Sequence, residues 1–154
     1  MICLMSREAA GMSGISQGVV SGVLEVRLVG PDGLVVGVAA GLHYSCRDPY
    51  AVRVSFAAGL GGPVEWMFGR DLLAAALEGP EGIGDVRAWP SRGPGGGEEV
   101  LVIVLAPPEG SARFEAGAAG IGAFLARTFE LVPAGQEPGW LDLDAELAEL
   151  LSQA

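Results

Sequence analysis

Residues 64–79 read VEWMFGRDLLAAALEG, and the two halves of this stretch keep different periods. Val64, Trp66 and Phe68 alternate with Glu65, Met67 and Gly69, the two-residue repeat of a strand. From Asp71 onward, Leu72, Leu73, Ala76 and Leu77 fall at helical spacing. The spacing predicts a strand that becomes a helix across Gly69-Arg70. Gly79-Pro80 is the expected stop, a capping glycine followed by a residue that cannot continue a helix. Asp71 is expected to cap this helix, and Arg70 to tie the corner electrostatically.

Upstream, Leu24, Val26 and Leu28 alternate with Glu25 and Arg27 in a half-buried strand that begins near Val19. Pro31-Asp32-Gly33 turns the chain into a second strand at 34–44, which predicts a hairpin. Arg47-Asp48-Pro49 reads as another turn. The third strand, YAVRVSFA, places Val52, Val54 and Phe56 on one face, with Arg53 and Ser55 on the other. GLGGP at 59–63 then leads into the stretch quoted first.

Downstream the order repeats. GDVRAWP (84–90) is a strand, SRGPGGGEE a hairpin loop, and VLVIVLA (100–106) a continuous apolar run with both faces covered. SARFEA is a short strand. Residues 116–131 form a helix with Ile121, Phe124, Leu125 and Thr128 on one side. Gly117, Gly120 and Gly122 weaken that helix by up to about 1 kcal/mol each relative to alanine, so it leans on tertiary packing. A last helix carries the stripe Leu143, Leu147, Leu150 and Leu151, with Asp142 and Asp144 at its positive end. Residues 1–18 lack periodicity and read as a flexible arm, with Met12 a second candidate start; 19–152 read as one domain. The predicted class is α+β, ββββα–βββα plus a C-terminal helix, with two antiparallel sheets and a helix on each.

Bulk composition narrows the function. A chain of 154 residues buries roughly 70% of its unfolded surface. All nine basic residues are arginine, which excludes a Schiff-base lysine and a P-loop. Nineteen acidic groups leave a net charge of −10, which repels phosphate backbones and anionic lipid. Cys3 and Cys46 are too few for a disulfide framework, and His43 alone cannot make a multi-histidine metal site. The start, MICLMSREAA, lacks the apolar run of a signal peptide, and no apolar segment approaches the ~18 residues of a membrane span. The expectation is a soluble protein of a reducing cytoplasm.

Each chemical motif has a plainer explanation. SRGPGGGEE lacks GxGxxG spacing, opens no helix, and carries Glu98 and Glu99, which repel phosphate. His43 and Ser45 share a strand face without a nucleophile elbow. Asp142 and Asp144 fit a helix start, and the Cys46-Arg47 pair lacks a base. No catalytic residue, cofactor or metal is expected. Trp66 shares the core face of Val64 and Phe68. Trp89 instead alternates with Asp85 and Arg87 on the polar face, opposite Val86 and Ala88. A tryptophan there is covered by a helix, covered by another subunit, or is a docking anchor. Arg87 and Trp89 are the candidate protein-binding pair, with Arg53 as a possible neighbour and the acidic face at Glu146 and Glu149 as the alternative.

Six runs together have a familiar order: LHYSCRDPYAV (42–52), VEWMFGRDLL (64–73), GDVRAWPS (84–91), APPEG (106–110), FLART (124–128) and LDLDAELAELL (141–151). In them the chain resembles the SsgA-like proteins, sporulation and cell-division regulators of actinobacteria, over residues 19–152. The motif residues are Asp48, Pro49, Tyr50, Trp66, Phe68, Arg70, Asp71, Gly84, Asp85 and Trp89. The glycine-rich loop after Trp89 and the glycine-heavy helix depart from the pattern. The resemblance implies a whirly-like fold, a homotrimer, and a non-enzymatic adaptor at division septum sites. Its implied partners are the tubulin-like division protein or other members of the family. The rival it brings is single-stranded nucleic-acid binding, as in whirly-type proteins, and the net charge argues against that use.

Overall fold

A computed structural model describes residues 13–16, 18–30, 32–57, 63–106, 112–140 and 150–152. In chain order these form β1 (Ser13–Ser16), β2 (Val19–Val29), β3 (Val35–Ser45), β4 (Asp48–Ala57), β5 (Pro63–Gly69) and α1 (Arg70–Ala76). Then come β6 (Glu81–Ile83), β7 (Val86–Arg92), a short 3-10 turn at Pro94–Gly96, β8 (Glu99–Leu105), β9 (Ala112–Gly117), α2 (Ala118–Leu131) and a 3-10 helix at Glu137–Trp140. The strand-to-helix change read in 64–79 falls between Gly69 and Arg70, with no loop between β5 and α1.

The expected strands are present, with shifts at their ends. The β2–β3 turn closes by the Gly33 amide donating to the Gly30 carbonyl at 3.0 Å, with Gly33 at φ +82°. Cys46 and Arg47 make the β3–β4 turn, so Asp48 and Pro49 open β4 rather than turn the chain. Gly84 and Asp85 are likewise not strand but the tight turn between β6 and β7, and Gly84 takes φ +56°, where a side chain would be strained. β6 is three residues long, too short to display a period. β1 falls within the stretch read as a flexible arm: Ser13–Ser16 pairs antiparallel with β2, from Ser13 opposite Gly22 to Ser16 opposite Val19.

The expectation of two sheets is corrected. All nine strands among the described residues belong to one antiparallel sheet, ordered β5-β4-β3-β2-β9-β8-β7-β6, with β1 also on β2. The joint is β2. Its whole length pairs with β3 along one edge, while the other edge is shared between β1 and β9. The second half of the chain is zipped on through Val26–Val29 against Arg113–Ala116. An eleven-residue strand has enough edge for both partners.

Strand alternation sends one set of side chains toward the helices. There Leu42, Val54, Phe56 and Phe68 from the first half meet Leu101, Ile103 and Phe114 from the second, beneath Leu73, Ile121, Phe124 and Leu125 of the helices. Phe56 and Phe114 stack across the halves with ring centroids 4.4 Å apart. Gly120 lets α2 close on β2, because a Cβ there would stand 2.8 Å from Leu24 Cδ2. Residues 141–149, with Glu146 and Glu149, lie outside the described residues. Leu150 and Leu151 are helical but 65% and 74% exposed, so these two do not pack on the body as the leucine stripe predicted.

Candidate functional site

Arg70 ends the β5 period and starts α1, which drives its side chain inward. It is fully buried. Nη1 donates to the carbonyls of Thr128 at 3.0 Å and Val132 at 2.7 Å, and Nη2 donates to Glu137 Oε2 at 3.1 Å. The guanidinium carbon lies 4.1 Å from the Phe129 ring centre and 5.0 Å from that of Tyr44. One side chain thus joins the first helix to the end of the second and to the 3-10 helix. The Glu137 carboxyl is held below its ordinary value by its own backbone amide, and further by Arg70, against the opposing effect of burial. Burial pushes the Tyr44 phenol up to about 12, although Arg70 pulls the other way; its hydroxyl donates to the Pro49 carbonyl at 2.8 Å. This cluster is polar, closed and saturated by protein partners except at Nε, and it works as a structural knot.

Asp71 does not cap α1. Gly69 is the N-cap residue, no side chain bonds to the first turn, and Asp71 sits exposed within that turn, where its charge still favours the helix start. Pro49 and Phe68 are buried and Trp66 packs against the core, while Asp48, Tyr50, Gly84 and Asp85 are exposed. Of these, Gly84 and Asp85 form the β6–β7 turn, while Asp48, Pro49 and Tyr50 open β4 and Trp66 and Phe68 belong to β5. His43 lies opposite Arg53, and its imidazole is pushed below 6.5 by burial and then by that positive neighbour, with the Glu65 carboxylate pulling weakly the other way. Among the described residues no three metal-ligating side chains gather, and no helix is long and apolar enough to cross a membrane.

The face of the sheet turned away from the helices is different. Alternation and register place two neighbouring rows across it. One runs Trp89, Val102, Glu115, Arg27; the other runs Arg87, Val104, Arg113, Val29. Val102 is completely buried yet stands apart from the main core cluster. Its cross-strand neighbours on the outer side are Trp89 and Glu115. The Arg113 guanidinium lies 5.8 Å from the Trp89 ring centre and donates to Glu115 Oε2 from Nε at 3.3 Å and Nη2 at 3.2 Å. Arg27 reaches the other oxygen of Glu115 at 3.4 Å. Trp89 therefore lies half-exposed on a face that no helix covers among the described residues.

Arg87 and Trp89 stand side by side here, as the sequence suggested. Arg53 does not join them. It lies on β4, five strand spacings from β7, or about 24 Å across the sheet. Its near carboxylate is Glu65, at 3.9 Å. The distance follows from the single sheet, in which β3, β2, β9 and β8 intervene. Sequence reading missed Arg27, Arg113, Glu115 and Val102. The alternation of Arg113 and Glu115 with Phe114 and Ala116 marks a polar face, but only the register of β9 between β2 and β8 brings them to Trp89.

Residues 38–137 match the family described as Streptomyces sporulation and cell division protein, SsgA. The chain is 49% identical over 127 residues to the sporulation-specific cell division protein SsgB of Thermobifida fusca, covering 82% of this chain and 91% of that one. To SsgB of Streptomyces coelicolor it is 47% identical over 135 residues, 88% of this chain and 97% of that one. The fold is similar to a crystal structure of an SsgA-like sporulation-specific cell division protein from Thermobifida fusca. The TM-score is 0.77 at 42% identity, over 92% of this chain and 98% of that one. It is also similar to a structure from work on SsgB mutations and longitudinal cell division in sporulating Streptomyces coelicolor, with a TM-score of 0.75 at 44% identity. That match covers 86% of this chain and 100% of that one.

Proposed function

The chain belongs to the SsgA family of sporulation and cell-division proteins, and on that premise we propose that it is a non-enzymatic adaptor of sporulation-specific division. It localises or recruits septum proteins, either the tubulin-like division protein or other members of the family, from the cytoplasmic side of division sites. A whirly-like homotrimer is the assembly in which it acts. The observation that carries the adaptor reading is the outer face with Arg87 and Trp89: a half-exposed aromatic beside arginines is the kind of anchor that dominates binding energy at interfaces. The buried ionic cluster around Arg70 is closed by structural partners and offers no acid, base or nucleophile to a substrate.

Co-sedimentation of the purified protein with polymers of the tubulin-like division protein, and affinity measurement against other family members, test this. Trp89→Ala is expected to lose a partner that wild type retains, with a cooperative thermal transition kept and assembly mass unchanged. Wild type that binds none of these proteins, or a Trp89→Ala variant that keeps them all, overturns the docking role. Light scattering that returns a monomer mass rejects the trimer. Single-stranded nucleic acid, the rival ligand, is disfavoured by the charge of −10 and by a face whose one aromatic among the described residues is Trp89.

A further inference from the structure

The outer sheet face departs from the charge of the molecule that carries it. The chain as a whole is −10. Around Trp89, however, Arg27, Arg87 and Arg113 gather on one face with Glu115 between two of them, and Glu25 follows beside Arg27 at the far end of the row. Glu115 is shared by Arg27 and Arg113, which orients both guanidinium groups. Arg87 has no ion-pair partner among the described residues. Its Nη1 lies over Gly82, where a Cβ would stand 2.5 Å away. The missing side chain on β6 leaves room for that guanidinium at the rim of the sheet. Between the arginines lies apolar surface: the exposed side of Trp89 and the half-buried Val104.

We propose that this patch receives an acidic protein segment, with carboxylates on Arg87 and Arg113 and an aliphatic or aromatic side chain resting on Trp89. Arg87 and Arg113 stand two strand spacings apart, about 10 Å, so two carboxylates of one segment reach them without strain. Guanidinium groups suit this occupant because they bind carboxylates bidentately while lying flat on aromatic rings. A nucleic acid would meet long-range repulsion from the rest of the chain and a single stacking platform. The inference rests on the adaptor reading and names the chemistry of its partner.

The probe is a fluorescein-labelled Glu-Leu-Glu-Glu-Leu-Glu peptide, read by anisotropy at several salt concentrations, with its all-Gln counterpart and labelled single-stranded oligothymidine as controls. Wild type is expected to bind the Glu peptide, more weakly as salt rises, and the Gln peptide at least roughly tenfold less well. Arg87→Gln, at an exposed and unpaired position, is expected to weaken the Glu peptide roughly tenfold without lowering the melting temperature. Equal binding of the two peptides, equal binding by Arg87→Gln, or oligothymidine binding lost in that variant overturns the proposal. If Trp89→Ala loses its division partner while wild type ignores the Glu peptide, the docking face stands and its acidic occupant falls. If neither measurement responds, both readings fall.

Discussion

At the scale of single residues, Arg70 carries more of the fold than its place on a helix start suggests. A buried guanidinium is tolerable because two carbonyls and a carboxylate receive it and two rings flank it. Arg70→Met leaves the Val132 carbonyl without its side-chain donor and Glu137 with backbone amides but no cation. The expected loss is about 3–5 kcal/mol, the range for removing one partner from a buried charged pair. For a chain of this size that lowers the melting temperature by roughly 10 °C. Arg70→Lys is expected to recover little of it, because an ammonium cannot reproduce the fork. A variant that melts with wild type would show that the knot is not structural. Glu137 adds a pH dependence. Its folded pKa is lowered, so its contribution is complete above 4.5, the ordinary value, and is lost as pH falls through the lower folded value. Urea midpoints measured from neutral to acid pH should therefore fall less steeply for Glu137→Gln than for wild type. Parallel curves would exclude Glu137 as a source of acid sensitivity.

At the scale of elements, α2 shows how local preference yields to packing. It carries glycines at 120 and 122, and neither is equivalent to the other. A Cβ at Gly122 would make an ordinary 3.9 Å contact with Leu77 Cδ1, whereas one at Gly120 would press to 2.8 Å on Leu24 Cδ2. Gly122→Ala is expected to stabilise by up to about 1 kcal/mol, the difference in helix propensity. Gly120→Ala must move the Leu24 side chain and should gain less than that, or lose. Thermal unfolding of the two variants side by side checks the order, and Gly120→Ala above Gly122→Ala would contradict the close approach of α2 to β2. The same logic explains β6, where three residues hold a strand because β7 supplies the partner.

At the scale of the whole molecule, the seam between β2 and β9 makes the two halves one cooperative unit. Behind that seam, the stack of Phe56 on Phe114 ties β4 in the first half to β9 in the second. Calorimetry is expected to give a single transition, with calorimetric and van't Hoff enthalpies in agreement at fixed protein concentration. Phe114→Ala should cost about 3–5 kcal/mol while the transition stays single. Two resolved transitions would mean that the halves fold independently, as two separate sheets would allow.

Much of this was written in local pattern. The alternation of 64–68, the helical spacing after Asp71, and the hairpin signal at Asp32-Gly33 each depend on neighbours within a few residues. Strand period, helix period and turn chemistry are local properties, so the sequence by itself determined most of the strands, both helices of the body, and which face of β7 carried Arg87 and Trp89, but not the short β1 and β6. The motif runs likewise pointed to the family without any coordinates. Tertiary structure alone decided what those segments meet. One sheet or two depended on which edge of β2 received β9, a choice made by pairing between residues 26–29 and 113–116 that no local period encodes. The fate of Arg70 depended on Thr128, Val132 and Glu137, roughly sixty residues further along the chain. The surroundings of Trp89 depended on β8, β9 and β2 arriving in register, which brought in Arg113 and Arg27 and left Arg53 far away. Local pattern sets the direction of a side chain, and only long-range pairing, won by burying apolar surface between distant segments, sets its company.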